Sequence, residues 1–160
     1  MSGLALFTLG ALQVEVSGTA VERFRSNRVP ALLTYLAVEM SLHGPKPVRR
    51  ETLMALLWPD ILQKSARANL RQALYLLRQL IPELETKNPA ESVPAPIVIS
   101  DYQTVQINPD VLFDHDLADF VQLLKRVRSH DHPSLISCRD CTQLLEQAVA
   151  LYRESFLVDF

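Results

Sequence analysis

The sequence has 160 residues, 48% hydrophobic and 21% charged, enough for one domain core or one domain and part of another, and too apolar for intrinsic disorder. Its uninterrupted apolar runs, such as residues 54–58, fall far short of the roughly 18 residues of a membrane span. The net charge of −2 averages two opposed regions: residues 21–81 carry ten basic and four acidic side chains, whereas residues 82–124 set Lys87 alone against eight carboxylates.

Residues 4–10 and 12–16 read as strands, the second with clean alternation, joined by a tight turn at Gly10-Ala11. Residues 20–24 read as a third short strand. Ser26 is placed to cap a first helix running to Met40, with Pro30 in its first turn and Leu32, Leu33, Leu36, Ala37 and Met40 on its apolar face. Gly44-Pro45-Lys46-Pro47 stops it. A short second helix follows from Arg50 to Trp58, with Leu53, Leu56 and Leu57 inward, and a third from Ser65 to about Ile81, ended by Pro82. Residues 87–96, with three prolines and no periodicity, read as a linker. Residues 97–99 and 104–107 form a predicted hairpin around Ser100-Asp101-Tyr102-Gln103. Residues from Val111 onward read as helix, with a last helix over about 142–156. Phe7, Trp58, Phe120 and Tyr152 are expected in the core, and His43 and His115 at the surface. The apolar face Leu144, Leu145, Ala148, Val149 and Leu151 needs cover, from residues 113–124 or from a dimer partner.

The third helix carries the functional signal. At 100° per residue, Ala66, Leu70, Ala73, Leu74, Leu77, Leu80 and Ile81 fall in one arc, while Lys64, Arg67, Arg71, Tyr75 and Arg78 gather opposite, flanked by Gln72 and Gln79. No acidic residue occurs between Ile61 and Pro82. A solvated helix face ordinarily mixes signs, because oppositely charged neighbours one turn apart support the helix. A single-sign stripe forgoes that support and fits a polyanion. Duplex DNA admits a helix in its major groove, where Arg and Gln can read guanine and adenine edges. The alternative is a basic face that is merely solvated. The order short helix, turn, basic helix, hairpin is that of a winged helix-turn-helix, an α+β fold.

The stretches Val48-Arg-Arg-Glu-Thr-Leu-Met-Ala-Leu-Leu-Trp-Pro-Asp60 and Ser65-Ala-Arg-Ala-Asn-Leu-Arg-Gln-Ala-Leu-Tyr-Leu-Leu-Arg78 resemble the DNA-binding domain of the SARP/AfsR-type bacterial transcriptional activators, whose fold is similar to the OmpR winged helix. The strand pair over 97–107 and Asn108-Pro-Asp110 fit that pattern. Ala148-Val-Ala-Leu-Tyr-Arg-Glu-Ser-Phe-Leu157 resembles the start of the TPR-like bacterial transcriptional activator domain that follows in the family. The resemblance implies a winged helix over residues 1–109 and the beginning of a truncated helical module over 110–160. It implies Arg67, Arg71, Gln72, Tyr75 and Arg78 as major-groove contacts, beside Lys64 on the same face. It implies Arg49 and Arg50 on backbone phosphates and Tyr102 and Gln103 at the wing. It also implies homodimers on repeated sites, recruitment of RNA polymerase and a piece of a larger regulator; a cytoplasmic location is expected because residues 1–7 carry no basic start of a secretory signal. Two departures stand out: Arg49 where relatives often carry a Ser cap, and a wing without Lys or Arg but with Asp101 near its tip. The acidic wing and the acidic run 110–119 favour the competing reading, a winged helix turned protein-interaction module.

No Gly-rich phosphate loop, H-E-x-x-H or G-x-S-x-G occurs, so an enzyme is not expected and no cofactor is required. His130-Asp-His132 followed by Cys138-Arg-Asp-Cys141 nevertheless offers the ligand types of a tetrahedral zinc site. The alternative is a histidine-containing turn beside two half-buried thiols. A redox C-x-x-C fits poorly, lacking a βαβ context.

Overall fold

The computed structural model describes residues 3–88 and 93–160. Its first sheet begins as an antiparallel meander of β1 (Leu4–Phe7), β2 (Gln13–Val16) and β3 (Thr19–Ala20). Leu4, Leu6 and Val14 face inward, as the alternation predicts. Gly10, at φ +140°, makes the bend between β1 and β2, where any side chain would be strained and would press on Arg153. The expected strand over 20–24 shrinks to Thr19–Ala20.

Helix α1 (Arg28–His43) opens with Ser26 Oγ accepting the Arg28 amide at 3.2 Å, and closes at Gly44, whose φ of +81° and amide bond to Met40 end the coil. A two-residue strand, β4 (Val48–Arg49), then leads into α2 (Arg50–Leu57). The sequence gives no periodicity for so short a strand; only the register with a distant partner reveals it. Leu53, Met54 and Leu57 are buried, whereas Leu56 is 51% exposed, contrary to the expected inward face. Helix α3 (Gln63–Leu80) buries Ala66, Leu70, Ala73, Leu74 and Leu77, the predicted arc.

The part of the proline-rich segment at 89–92 lies outside the described residues. On either side the chain is tied down: Leu84 and Ala95 exchange both backbone hydrogen bonds, and Lys87 N–H donates to Asp110 at 2.7 Å. Strands β5 (Val98–Ser100) and β6 (Thr104–Ile107) form the expected hairpin, and β6 also pairs with β4, giving a second sheet of order β4-β6-β5.

Residues 113–115 are not helical. They form β7 (Phe113–His115), parallel to β1, so that the first sheet reads β3-β2-β1-β7. This strand turns His115 inward, leaving it 2% exposed where a surface position was expected. Helix α4 (Asp116–Ser129) begins directly after it, and α5 (Arg139–Leu151) packs against α4. The last helix thus starts and stops earlier than the periodicity suggests. Beyond it, Arg153 and Leu157 amides bond to the carbonyls of Leu9 and Thr8, drawing the chain onto the end of β1. Tyr152, expected in the core, is 52% exposed, while Phe7, Trp58 and Phe120 are half-buried.

The fold is therefore mixed α+β, with five helices and two sheets among the described residues. One continuous apolar cluster joins β1, β2, α1, α2, α3 and the second sheet. The buried apolar side chains of α4 and α5, Val127, Cys141 and Ala148, lie outside that cluster. A polar joint connects the parts: the Asp116 carboxylate accepts the Thr8 and Leu9 amides at 2.8–2.9 Å and the Thr8 hydroxyl at 3.0 Å.

Candidate nucleic-acid interface

With its apolar arc on the core, α3 presents Lys64, Arg67, Arg71, Gln72, Tyr75 and Arg78 to solvent, all of them exposed. An 18-residue helix is about 27 Å long, so the stripe runs the length of an extended face. None of Lys64, Arg67 and Arg71 forms an ion pair among the described residues. Their charge is not neutralised internally.

The fold brings a second group of side chains to the middle of that face. Arg49 and Arg50 from the β4–α2 junction, Arg67 and Arg71 from α3, and Tyr102 and Gln103 from the hairpin tip line one open groove, with Glu51, Met54, Leu70 and Thr104. Six residues singled out in the sequence, separated by up to 54 positions, share this concavity. The junction is held by backbone bonds: the Arg50 amide donates to Gln103 O at 2.9 Å, and Arg50 Nε donates to Asp101 O at 3.0 Å. The hairpin thereby substitutes for the side-chain cap that Arg49 cannot supply.

Asp101 is turned onto its own turn. Its carboxylate accepts the Gln103 and Thr104 amides at 2.7 and 2.6 Å and the Thr104 hydroxyl at 3.0 Å. The Thr104 amide foremost, then the Gln103 amide and Thr104 hydroxyl, with a smaller contribution from the Arg50 charge, hold its pKa below the usual carboxylate value. The acid that looked misplaced beside a polyanion is a turn-former. Tyr102 is left 90% exposed at the tip.

The remaining α3 residues divide. Arg78 donates to Ser100 Oγ at 2.9 Å and braces the helix against β5. Tyr75 borders a separate hollow with Phe24, Arg25, Leu76 and Gln79. Lys64 and Gln72 stand outside the groove lining. Sequence reasoning missed Thr104 and Ser100, whose involvement depends on the hairpin register rather than on any local pattern.

At the far end of the chain, His130, His132, Cys138 and Cys141 also meet, with their ligand atoms all within 4.8 Å of one another.

No protein-family model matches the sequence, and no curated protein matches it either. Among solved structures the chain is similar to EmbR of Mycobacterium tuberculosis, determined in complex with a low-affinity phosphopeptide, with 20% identity and a TM-score of 0.66. The similarity covers 99% of this chain and 38% of that one, so the chain spans well under half of EmbR's length and shares its fold over that part. No helix among the described residues is long and apolar enough to cross a membrane.

Proposed function

We propose that this chain binds double-stranded DNA as a winged helix-turn-helix, with α2 and α3 as the helix pair, α3 in the major groove and the β5–β6 hairpin as the wing. The carrying observation is the convergence of Arg67 and Arg71, exposed and without ion-pair partners among the described residues, with Arg49, Arg50 and the wing tip around one groove. Arg67, Arg71 and Gln72 are the base-reading candidates and Lys64 a flanking contact; Arg49 and Arg50 hold phosphates. Arg78 serves chiefly to brace the wing, and Tyr102 with Gln103 makes its outer contact. The role that follows is the DNA-binding part of a non-enzymatic transcriptional activator. The resemblance to the SARP/AfsR type supports that role, and the fold is shared with EmbR over the part compared. On this reading the chain acts in the cytoplasm, pairs as a homodimer on repeated sites and helps recruit RNA polymerase.

Fluorescence anisotropy with mixed-sequence duplexes tests it. The wild-type chain binds at low salt and Arg67→Ala/Arg71→Ala binds at least tenfold more weakly. Absence of binding by the wild type near 50 mM salt, where counterion release favours complexes most, would instead favour the protein-interaction reading, whose support is the acidic run 110–119.

A further inference from the structure

The cluster between α4 and α5 plays no part in the DNA-binding reading. We propose that His130, His132, Cys138 and Cys141 form a structural zinc site that pins the α4–α5 hairpin.

The donor set is the first argument. Two thiolates and two imidazoles are a zinc combination, unsuited to the hard, oxygen-seeking calcium and magnesium ions. Four protein ligands leave no open position for water or substrate, so the site is structural.

Geometry is the second. Zinc–sulfur and zinc–nitrogen bonds of about 2.3 and 2.0–2.1 Å at a tetrahedral angle put the two ligand atoms about 3.6 Å apart. Cys141 Sγ and His132 Nδ1 stand 3.6 Å apart. All four donor atoms lie within 4.8 Å of one another, so the remaining edges close with shifts on the order of an ångström, within rotamer adjustment. The rings of His130 and His132 are stacked, centroids 5.5 Å apart.

Placement is the third. His130 is the residue that ends α4, its amide bonded to Arg126 O, and Cys138 is the residue that begins α5, its carbonyl accepting the Thr142 amide. The ends of the two helices thus fix the backbone of the outer ligands. Cys141, in the first turn of α5, is fully buried; His132 and Cys138 are half-buried and His130 is exposed. The site has a closed floor and an open side through which an ion arrives.

The hairpin also has need of a staple. Its buried apolar side chains, Val127, Cys141 and Ala148, are outside the main apolar cluster. Its nine-residue connection, 130–138, exposes Leu135 and Ile136, the latter at 94%. Small units with little core commonly depend on metals or disulfides. Binding converts two thiols to thiolates and releases two protons per zinc, so affinity rises with pH.

The test uses the full chain, prepared under reducing conditions with zinc in the medium and then dialysed. Elemental analysis gives close to one zinc per chain. Cobalt added to chelator-stripped protein produces the intense visible bands of a tetrahedral thiolate complex, and zinc bleaches them. Chelation lowers the wild-type melting temperature, whereas Cys138→Ser and His130→Ala, at the less buried positions, bind zinc at least tenfold more weakly and respond less to chelator. Protein without zinc that gives only the pale spectrum of octahedral cobalt overturns the site. So does a Cys138–Cys141 disulfide in the reduced preparation. The DNA titration reads α3 and is scored separately, so either proposal can fail without the other.

Discussion

Asp101 shows how a residue's chemistry can oppose its sequence context. As a charge near phosphates it is unfavourable; as an acceptor of two amides and a hydroxyl it organises the turn that presents Tyr102. Because its folded pKa is depressed, its contribution is fully present above the ordinary carboxylate value of about 3.9 and is lost as pH falls through the lower folded value. The Thr104 amide resonance should titrate below the ordinary value, and Asp101→Ala should accelerate hydrogen exchange at Gln103 and Thr104. Titration at or above the ordinary value would mean that these bonds do not hold in solution. His115 behaves oppositely in sign of charge. Hydrogen-bonded to Thr8 Oγ1 at 3.0 Å and Ser41 Oγ at 2.7 Å, it is driven down to about 4 by burial, against the opposing pull of Asp116 and of its bond to the Ala37 backbone. The folded state therefore holds it neutral, and the unfolded chain binds a proton more readily below about 6.5. Stability from this residue is complete above pH 6.5 and declines as pH falls towards 4, by on the order of 3 kcal/mol. Denaturant unfolding across that range should show the slope in wild type and a flatter one in His115→Gln; equal slopes would place the imidazole in solvent.

Among the elements, α3 was legible because its apolar arc and its basic stripe are both periodic over five turns, and the buried residues Ala66, Leu70, Ala73, Leu74 and Leu77 follow that arc. The hairpin at β5–β6 was legible from alternation on either side of a polar turn. Strand β4 was not, since two residues carry no period, and neither was β7, whose Phe-Asp-His runs straight into a helix and is defined only by the edge of β1. The end of α5 was misjudged because its pattern continues to Phe156, while hydrogen bonds to Leu9 and Thr8 recruit the chain from Arg153 on. Local periodicity cannot report partners more than a hundred residues away. The groove was half legible: the α3 arginines stood out, but their meeting with Arg49, Arg50 and the wing required the β4–β6 register. Packing gives an element-scale check. Leu70→Ala, 1% exposed on α3, should cost about 2–5 kcal/mol in urea unfolding, whereas Leu56→Ala on α2 should change stability by no more than about 0.5 kcal/mol. A costly Leu56→Ala would mean that its face is covered in solution.

At the scale of the molecule, charge is partitioned by region. Six of the ten basic residues of 21–81 supply the α3 face and the groove, while Asp101, Asp114, Asp116 and Asp119 of the acidic region fall on the hairpin, β7 and the start of α4. Asp116 is taken up internally by Thr8 and Leu9, and Asp101 by its own turn. A net charge of −2 therefore does not prevent a cationic surface from meeting a polyanion, because fields beyond about 10 Å are largely screened at moderate salt. If this surface meets DNA with Arg49 and Arg50 on phosphates and α3 in the major groove, binding must depend strongly on salt. A plot of log affinity against log salt should have a slope of about −3 to −6, as expected for some three to seven contacts. Arg49→Ala/Arg50→Ala, which removes two phosphate contacts, should bring that slope nearer zero by about 2, whereas Arg67→Ala/Arg71→Ala should weaken binding at least tenfold with little change of slope. A slope near zero, or binding unweakened in Arg67→Ala/Arg71→Ala, would contradict the assignment of α3 as the DNA-reading helix.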